Sequence, residues 1–241
     1  MSKWLAGRVI ENRHWTEALF SLRVEAPRLS FEAGQFVRIA LEERIARPFS
    51  FVNPPEDPVL EFYGIVVPEG PLSPRLAQLR AGDRLLVATN PAGFLVLSEV
   101  PDAETLWLVS TGTGIAPFLS ILRTETPWRR FQKVVLVHAV RHAAELAYAD
   151  TIRKISKEHP LRYVTFVSRE SAPASLPGRI PAALRDGRLE AAAGLKLDQR
   201  SHVMLCGNPD MLKDASAALA ERGLRKHRRR NPGHITVESF W

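Results

Sequence analysis

Through Leu97, hydrophobic and polar residues alternate with the two-residue period of half-buried β-strands. In ALFSLRVEAP, Phe20, Leu22 and Val24 alternate with Ser21, Arg23 and Glu25, and QFVRIAL sets Val37, Ile39 and Leu41 on one face. LEFYGIVV and DRLLVAT follow, separated by segments rich in Pro, Gly, Asp and Asn. A helix is predicted only in LSPRLAQLRAGD, with Ser73 as N-cap, Pro74 in the first turn and Gly82 at the end. Several short strands with one helix predict a small closed antiparallel barrel.

After SEVPDAE the rhythm changes. The apolar runs TLWLVS, KVVLVHAV, RYVTFVS and HVMLCG alternate with helical stretches that begin near Ile115, Ala143, Ile180 and Pro209. Strand and helix in alternation imply crossover units and a parallel sheet. There is no internal repeat and no long low-complexity linker. The expected organisation is a barrel domain over residues 1–98 followed by an open α/β sheet over residues 99–241.

Composition narrows the class of protein. Of 241 residues, 45% are hydrophobic and 24% charged, the balance of a soluble globular chain. No apolar run approaches the roughly 20 residues that cross a bilayer, and MSKWLAGRVIENRHW lacks the apolar core of a signal peptide. Cys206 is the single cysteine, which excludes a disulfide framework and points to a reducing, cytoplasmic compartment. Lys and Arg number 33 against 26 Asp and Glu, a net charge of +7 that attracts nucleic acid, anionic lipid, phosphorylated ligands or acidic proteins alike. The densest basic cluster is Arg225–Arg230, equally readable as a solvated loop.

Four segments are candidates for chemistry. In LVSTGTGIAPFLSIL a strand runs into Thr111, Gly112, Thr113 and Gly114 before a helix opens near Pro117. The glycines allow close approach of a ligand, and free amides at the helix start favour a pyrophosphate, although an ordinary strand-to-helix turn would look similar. LCGNPDM ends a later strand. Because ligands collect at the carboxyl ends of parallel strands, Cys206, Gly207 and Asn208 are expected beside Thr113 and Gly114, while a lone cysteine is by itself usually a core residue. RPFSFVN offers a guanidinium at Arg47, an aromatic ring at Phe49 and a hydroxyl at Ser50. Alternation puts Arg47, Phe49 and Phe51 on one face and Pro48 and Ser50 on the other, and the stretch alone reads equally as an exposed strand after a proline. VSRES and LPGRI supply Ser168, Arg169 and Arg179, which would suit a phosphate clamp or simple solvation. The histidines lack zinc-motif spacing, and no Gly-x-Ser-x-Gly elbow supports a hydrolase.

In order along the chain, RPFS, GPLS, GTGIAP, CGNPDM and the aromatic end Phe240–Trp241 resemble the bacterial ferredoxin (flavodoxin)–NADP⁺ reductase family over essentially the whole length. The resemblance implies a six-stranded antiparallel FAD-binding barrel followed by an open, Rossmann-like parallel-sheet domain for NADP(H). It implies that Arg47 meets the FAD pyrophosphate, that Phe49 lies against the isoalloxazine with Pro48 beside it, and that Ser50 hydrogen-bonds near its N5. Tyr63, Gly64, Ile65 and Val66, with Pro71, Leu72 and Ser73, then hold the ribityl and phosphates, and Thr113 sits by the flavin at the nicotinamide entrance. Arg141, Ser168, Arg169 and Arg179 correspond to NADP(H) contacts, together with Gly207 and Asn208, and Arg169 and Arg179 are the candidates for the 2′-phosphate. Cys206 and Glu238 correspond to positions near the nicotinamide. Ser50, Cys206, Glu238 and Phe240 are thus the residues implied at the reacting centre. Phe240 would cover the second flavin face and Trp241 the adenine, which gives a terminal aromatic pair a reason to be ordered. Two residues depart from the family pattern: Phe49 and Phe240 stand where tyrosine is common, so stacking is kept and a phenolic hydrogen bond is lost.

The same resemblance implies electron exchange between NADP(H) and one-electron carriers, with ferredoxin or flavodoxin as acidic, transient partners of a monomeric, cytoplasmic enzyme that needs neither nucleic acid nor membrane. A flavin or quinone reductase, or a reductase feeding an oxygenase, would use the same core. A basic nucleic-acid-binding protein built on Arg225–Arg230 is the reading from another class.

Overall fold

The computed structural model describes residues 3–239, so the expectations for Phe240 and Trp241 lie outside the described residues. The chain forms two compact units: one runs to Val96 and adds Ala116–Thr124, and the other comprises Leu97–Ile115 and the chain from Glu125 onward.

The first unit contains β1 (Trp4–His14), β2 (Leu19–Glu25), β3 (Phe36–Glu42), β4 (Ile45–Ser50), β5 (Val59–Ile65), α1 (Ser73–Ala77) and β6 (Arg84–Ala88). Its strands form a six-stranded sheet in the order β4-β3-β6-β1-β2-β5, antiparallel throughout. A bridge between Phe51 and Phe62 joins the two ends of that order and closes the barrel. The Val52 N–H donates to the Glu61 carbonyl at 2.9 Å beside it. The alternating residues Leu22, Val24, Val37 and Ile39 fill the interior together with Val9, Phe51 and Val87, all of them without exposed surface.

β1 escapes the alternation rule for two reasons. Its buried position 7 is glycine, where a Cβ would meet Val24 Cγ1 at 2.7 Å, and a bulge shifts the register between Val9 and Glu11. Helix α1 also differs from expectation. Leu72 is its N-cap, and the Ser73 hydroxyl instead accepts from the Val67 N–H at 2.9 Å. The helix stops at Ala77, whose carbonyl is taken by side chains of β1: Asn12 Nδ2 and His14 Nε2 donate to Ala77 O at 3.0 and 2.9 Å. Gly82, with φ +99°, serves the turn into β6 rather than the helix end.

Helix α2 (Ala116–Leu122) packs with this barrel, and all seven of its residues are buried. A helix apolar on every side is stable only inside a core. Burying Phe118, Leu119, Ile121 and Leu122 contributes roughly 1.5–3 kcal/mol each. The Ser120 hydroxyl donates to Asn53 O at 2.7 Å, and Arg123 donates to Val52 O at 3.2 Å and pairs with Glu61 at 3.3 Å and Asp57 at 3.5 Å.

The second unit contains β7 (Thr105–Thr111), α3 (Thr126–Arg130), β8 (Lys133–Val140), α4 (Ala149–Glu158), β9 (Leu161–Val167), β10 (Leu176–Pro177), α5 (Ile180–Arg185), α6 (Arg188–Ala193), β11 (Ser201–Gly207), α7 (Pro209–Ala220) and β12 (Ile235–Ser239). Its strands are all parallel, in the order β10-β9-β8-β7-β11-β12. The near-continuous apolar strands β7, β8 and β11 are buried as such sheets require. Helices begin at Ile180 and Pro209 as predicted. At Ala143 only a 3₁₀ turn forms, and α4 starts at Ala149 after Tyr148 takes φ 62°. Among the described residues no helix is long and apolar enough to cross a membrane.

Candidate functional site

In the barrel unit, β4 pairs with β3 so that Arg47 faces Ile39, Phe49 faces Val37 and Ser50 faces Phe36. Directly opposed residues share a face, so Phe49 joins the side on which Val37 and Ile39 enter the core. Its half-buried ring meets Phe62 edge-on, with centroids 6.5 Å apart. Arg47 and Pro48 are exposed. The Arg47 guanidinium donates to Ala46 O at 3.0 Å, and among the described residues no carboxylate pairs with it. Ser50 is buried, and its Oγ has no hydrogen-bond partner among the described residues. A buried hydroxyl left so costs about 1–3 kcal/mol.

On β5, a Cβ at Gly64 would lie 2.8 Å from Phe49 Cε1 and 2.9 Å from Phe20 Cζ. Glycine there lets the Phe49 ring come against the strand backbone, which brings RPFS and YGIV together. Tyr63 is buried, Ile65 and Val66 are half-buried, and the Val66 N–H donates to Ala18 O at 2.7 Å. Pro71 is exposed, whereas the Leu72 side chain belongs to the barrel core, which leaves only its main chain for a ligand. An aromatic ring cleared by glycine, an unpartnered buried hydroxyl and an unpaired guanidinium fit a flat, polar, phosphate-bearing ring system.

In the second unit the order of strands reverses between β7 and β11, the switch point at which open sheets gather ligands. A Cβ at Gly114 would lie 2.6 Å from Cys206 O and 2.9 Å from Gly207 Cα. Gly207 has φ +132°, and its own Cβ would meet Thr111 O at 2.8 Å. The two turns therefore pack backbone on backbone, as the expectation for Cys206, Gly207 and Asn208 required. The Asn208 N–H donates to Thr111 Oγ1 at 2.9 Å, while Asn208 Oδ1 accepts from Asp210 N at 3.0 Å and Met211 N at 3.2 Å. The Asn208 side chain is thus engaged as the cap of α7. Thr113 is half-buried in the turn Gly112–Ile115.

Cys206 is fully buried, and Glu238 stands opposite it on β12. Burial first, and the Glu238 charge second, push the thiol well above its ordinary value. Cys206 is thus a neutral thiol and no nucleophile. His138, on β8, is buried, and its Nε2 donates to Gly112 O at 3.0 Å. Burial lowers its pKa from 6.5 to about 4, only partly opposed by that bond, so the ring is neutral. His138 thereby ties the glycine turn to the neighbouring strand, a role signalled in sequence only by a lone imidazole inside KVVLVHAV.

Arg141 and Arg169 meet where β8 and β9 end. The Arg169 N–H donates to Arg141 O at 2.9 Å, and the Ser168 N–H and Oγ donate to Val140 O at 3.1 and 3.2 Å. Arg179 is the N-cap residue of α5 and is exposed, as are Arg141 and Arg169. Glu145 and Glu170, which sequence reasoning passed over, bind the backbone of the Arg141–Ala143 turn. The basic cluster forms a tight turn in which Arg228 and Asn231 exchange backbone hydrogen bonds at 3.1 and 2.8 Å. Arg229 Nε pairs with Glu99 at 2.9 Å.

Residues 108–217 match the family described as Oxidoreductase NAD-binding domain. The flavodoxin/ferredoxin–NADP reductases of Shigella flexneri and Escherichia coli (strain K12) are 52% and 51% identical, each over 100% of both chains. A solved ferredoxin NADP⁺ reductase of Neisseria gonorrhoeae, with bound FAD and NADP, matches at TM-score 0.95 and 34% identity over 100% of both chains. An Amycolatopsis cytochrome P450 reductase is similar at TM-score 0.80 and 29% identity, over 98% of this chain and 69% of its own. The chain belongs to the flavodoxin/ferredoxin–NADP reductase family.

Proposed function

We infer that the protein is an FAD-dependent oxidoreductase that exchanges electrons between NADP(H) and ferredoxin or flavodoxin. The observation that carries this is the likeness, 52% identical and complete in both chains, to a flavodoxin/ferredoxin–NADP reductase. When bound, FAD supplies the exchange between a hydride pair and single electrons.

The chain's own residues divide the remaining work, with residues 1–98 serving FAD and 99–241 serving NADP(H), apart from the aromatic end that returns to FAD. Arg47 holds the FAD pyrophosphate, Phe49 with Pro48 presents an aromatic face, and Ser50 donates to a ring nitrogen. The unpartnered state of the buried Ser50 Oγ supports that role. Tyr63–Val66 and Pro71–Ser73 bind the ribityl and phosphates, Leu72 by its main chain. Phe240 and Trp241, outside the described residues, would cover the flavin and adenine. Thr113 sits by the flavin at the nicotinamide entrance, and Gly207 and Asn208 contact NADP(H), supported by the glycine-only packing of their turns. Ser50 and Glu238 shape polarity and proton supply at the reacting centre, and Cys206, a neutral thiol, lies near the nicotinamide. Arg141, Ser168, Arg169 and Arg179 contact NADP(H), with Arg169 and Arg179 foremost at the 2′-phosphate and Arg141 and Ser168 beside them, a grip favoured by guanidinium forks that match phosphate oxygens.

Ferredoxin and flavodoxin are taken as acidic, transient partners of a cytoplasmic monomer, in keeping with the net charge of +7. The test is anaerobic mixing of the purified yellow protein with NADPH, followed by addition of ferredoxin and flavodoxin from the same source. Bleaching by NADPH and reoxidation by either carrier are expected. A protein purified without flavin, or one that NADPH leaves oxidised, overturns the reading.

A further inference from the structure

Arg141 and Arg169 present an electrostatic problem. Two cationic residues in backbone contact repel each other, yet an acid placed to relieve that repulsion would normally pair with the guanidiniums and leave nothing for a ligand. The structure resolves the conflict through the main chain. Glu170 Oε1 accepts from the Ala143 N–H at 2.6 Å, and Glu170 Oε2 lies 3.3 Å from His142 Nδ1. Glu145 Oε2 accepts from the N–H groups of Arg141 at 2.9 Å and His142 at 3.4 Å. The three successive N–H groups of the turn after β8 are thus all taken by carboxylates. Among the described residues neither Arg141 nor Arg169 has an ion pair with either glutamate.

Glu170 is also the only one of the two that ties separate loops together. It follows Arg169 directly after β9, and it grips the turn after β8 that carries Arg141. The Ala143 N–H first, and His142 second, hold its carboxyl below the ordinary value, so it remains an acceptor across the working range.

We propose that Glu170 is a positioning residue for recognition of an adenosine 2′-phosphate, locking the two loops so that Arg141 and Arg169 are presented together and unpaired. The inference rests on the reading that these arginines grip the 2′-phosphate. It also separates two effects of opposite sign. As a negative charge near the site, Glu170 weakens anion binding; as a lock, it strengthens it.

The FAD-loaded enzyme is titrated calorimetrically with adenosine 2′,5′-bisphosphate and with 5′-AMP, which differ only in the 2′-phosphate. Glu170→Ala is expected to weaken the bisphosphate about tenfold, the worth of one hydrogen bond to a charged group, and to move 5′-AMP less than about twofold. Glu170→Gln, which keeps an acceptor for the Ala143 N–H, is expected to retain most of the selectivity. Tighter bisphosphate binding in Glu170→Ala, equal change for both ligands, or equal loss in the Ala and Gln variants each overturns the proposal. Arg169→Ala is run in parallel. If it leaves selectivity intact, the clamp reading itself fails; if it abolishes selectivity while Glu170→Ala does not, only the positioning role fails.

Discussion

The two units carry sheets of equal strand number and present their ligand-facing groups in opposite ways. In the barrel most candidate residues are strand residues, Arg47–Ser50 on β4 and Tyr63–Ile65 on β5, beside the Phe51–Phe62 bridge, with Val66 and Pro71–Ser73 following β5. In the parallel sheet they lie at or just beyond the carboxyl ends of the strands, mostly on the turns that follow them. A closed antiparallel barrel has no reversal of strand order, so a ligand must be met along the wall, at the seam where pairing is thinnest. An open parallel sheet supplies a crevice by topology, and the turns around it are free to specialise. The tolerance of the two sites to substitution should differ accordingly.

Gly114→Ala breaks the comparison most directly, because the added Cβ would press on backbone at both Cys206 and Gly207. A loss of about 3 kcal/mol, the upper end for overpacking, is expected in urea unfolding. Gly64→Ala presses only on the rings of Phe49 and Phe20, so it should cost less stability and act mainly on FAD affinity. Equal costs at the two glycines would erase the distinction between turn and wall.

A second test uses pH. His138 has a folded value of about 4 against an ordinary 6.5. Its neutral form therefore stabilises the fold fully above pH 6.5, and that contribution fades as pH falls toward 4, by about 3 kcal/mol in all. His202, lowered to about 3 chiefly by burial, adds to the same trend. Denaturant unfolding from pH 7.5 to 4 should show the decline, and His138→Gln should reduce it, leaving the part that His202 contributes. A wild-type profile already flat would remove the neutral-imidazole tie to Gly112.

Arg169→Ala and Arg179→Ala sharpen the turn-borne site. Each should weaken NADPH about 30-fold, near 2 kcal/mol for a charged hydrogen bond, and leave NADH little changed in steady-state KM. Parallel losses for both coenzymes would dismiss the clamp. Ser50→Ala does the same for the wall-borne site at a smaller scale. Without flavin it should be neutral or slightly stabilising, since it deletes an unpartnered hydroxyl, whereas FAD should bind about fivefold more weakly, roughly 1 kcal/mol. A destabilised apoprotein would mean that Ser50 serves the barrel instead.

What could be read in the sequence follows the same divide. Turns announce themselves through glycine, so the meeting of Thr113–Gly114 with Cys206–Gly207 was legible from strand ends alone. The wall site was not: RPFSFVN read equally as an exposed strand, and only resemblance gave Arg47, Phe49 and Ser50 their roles. β1 was hidden because Gly7 and a bulge interrupt its alternation. Ser73 was misread as a cap because a hydroxyl beside a proline looks the same whether it binds its own helix or a distant N–H. Glu145, Glu170 and His138 act on main-chain groups, and main-chain partners leave no trace in a string of side chains.

Helix α2 carries a consequence for how this chain can be divided. Leaving β7, the polypeptide contributes Ala116–Thr124 to the barrel and then returns to the sheet at Glu125. A gene cut near codon 97 would strip the barrel of a buried, largely apolar plug and leave that plug without a socket on the other fragment. The halves are therefore poor candidates for separate expression or for shuffling as cassettes. A usable barrel fragment would have to carry its α2 segment grafted back at a new junction.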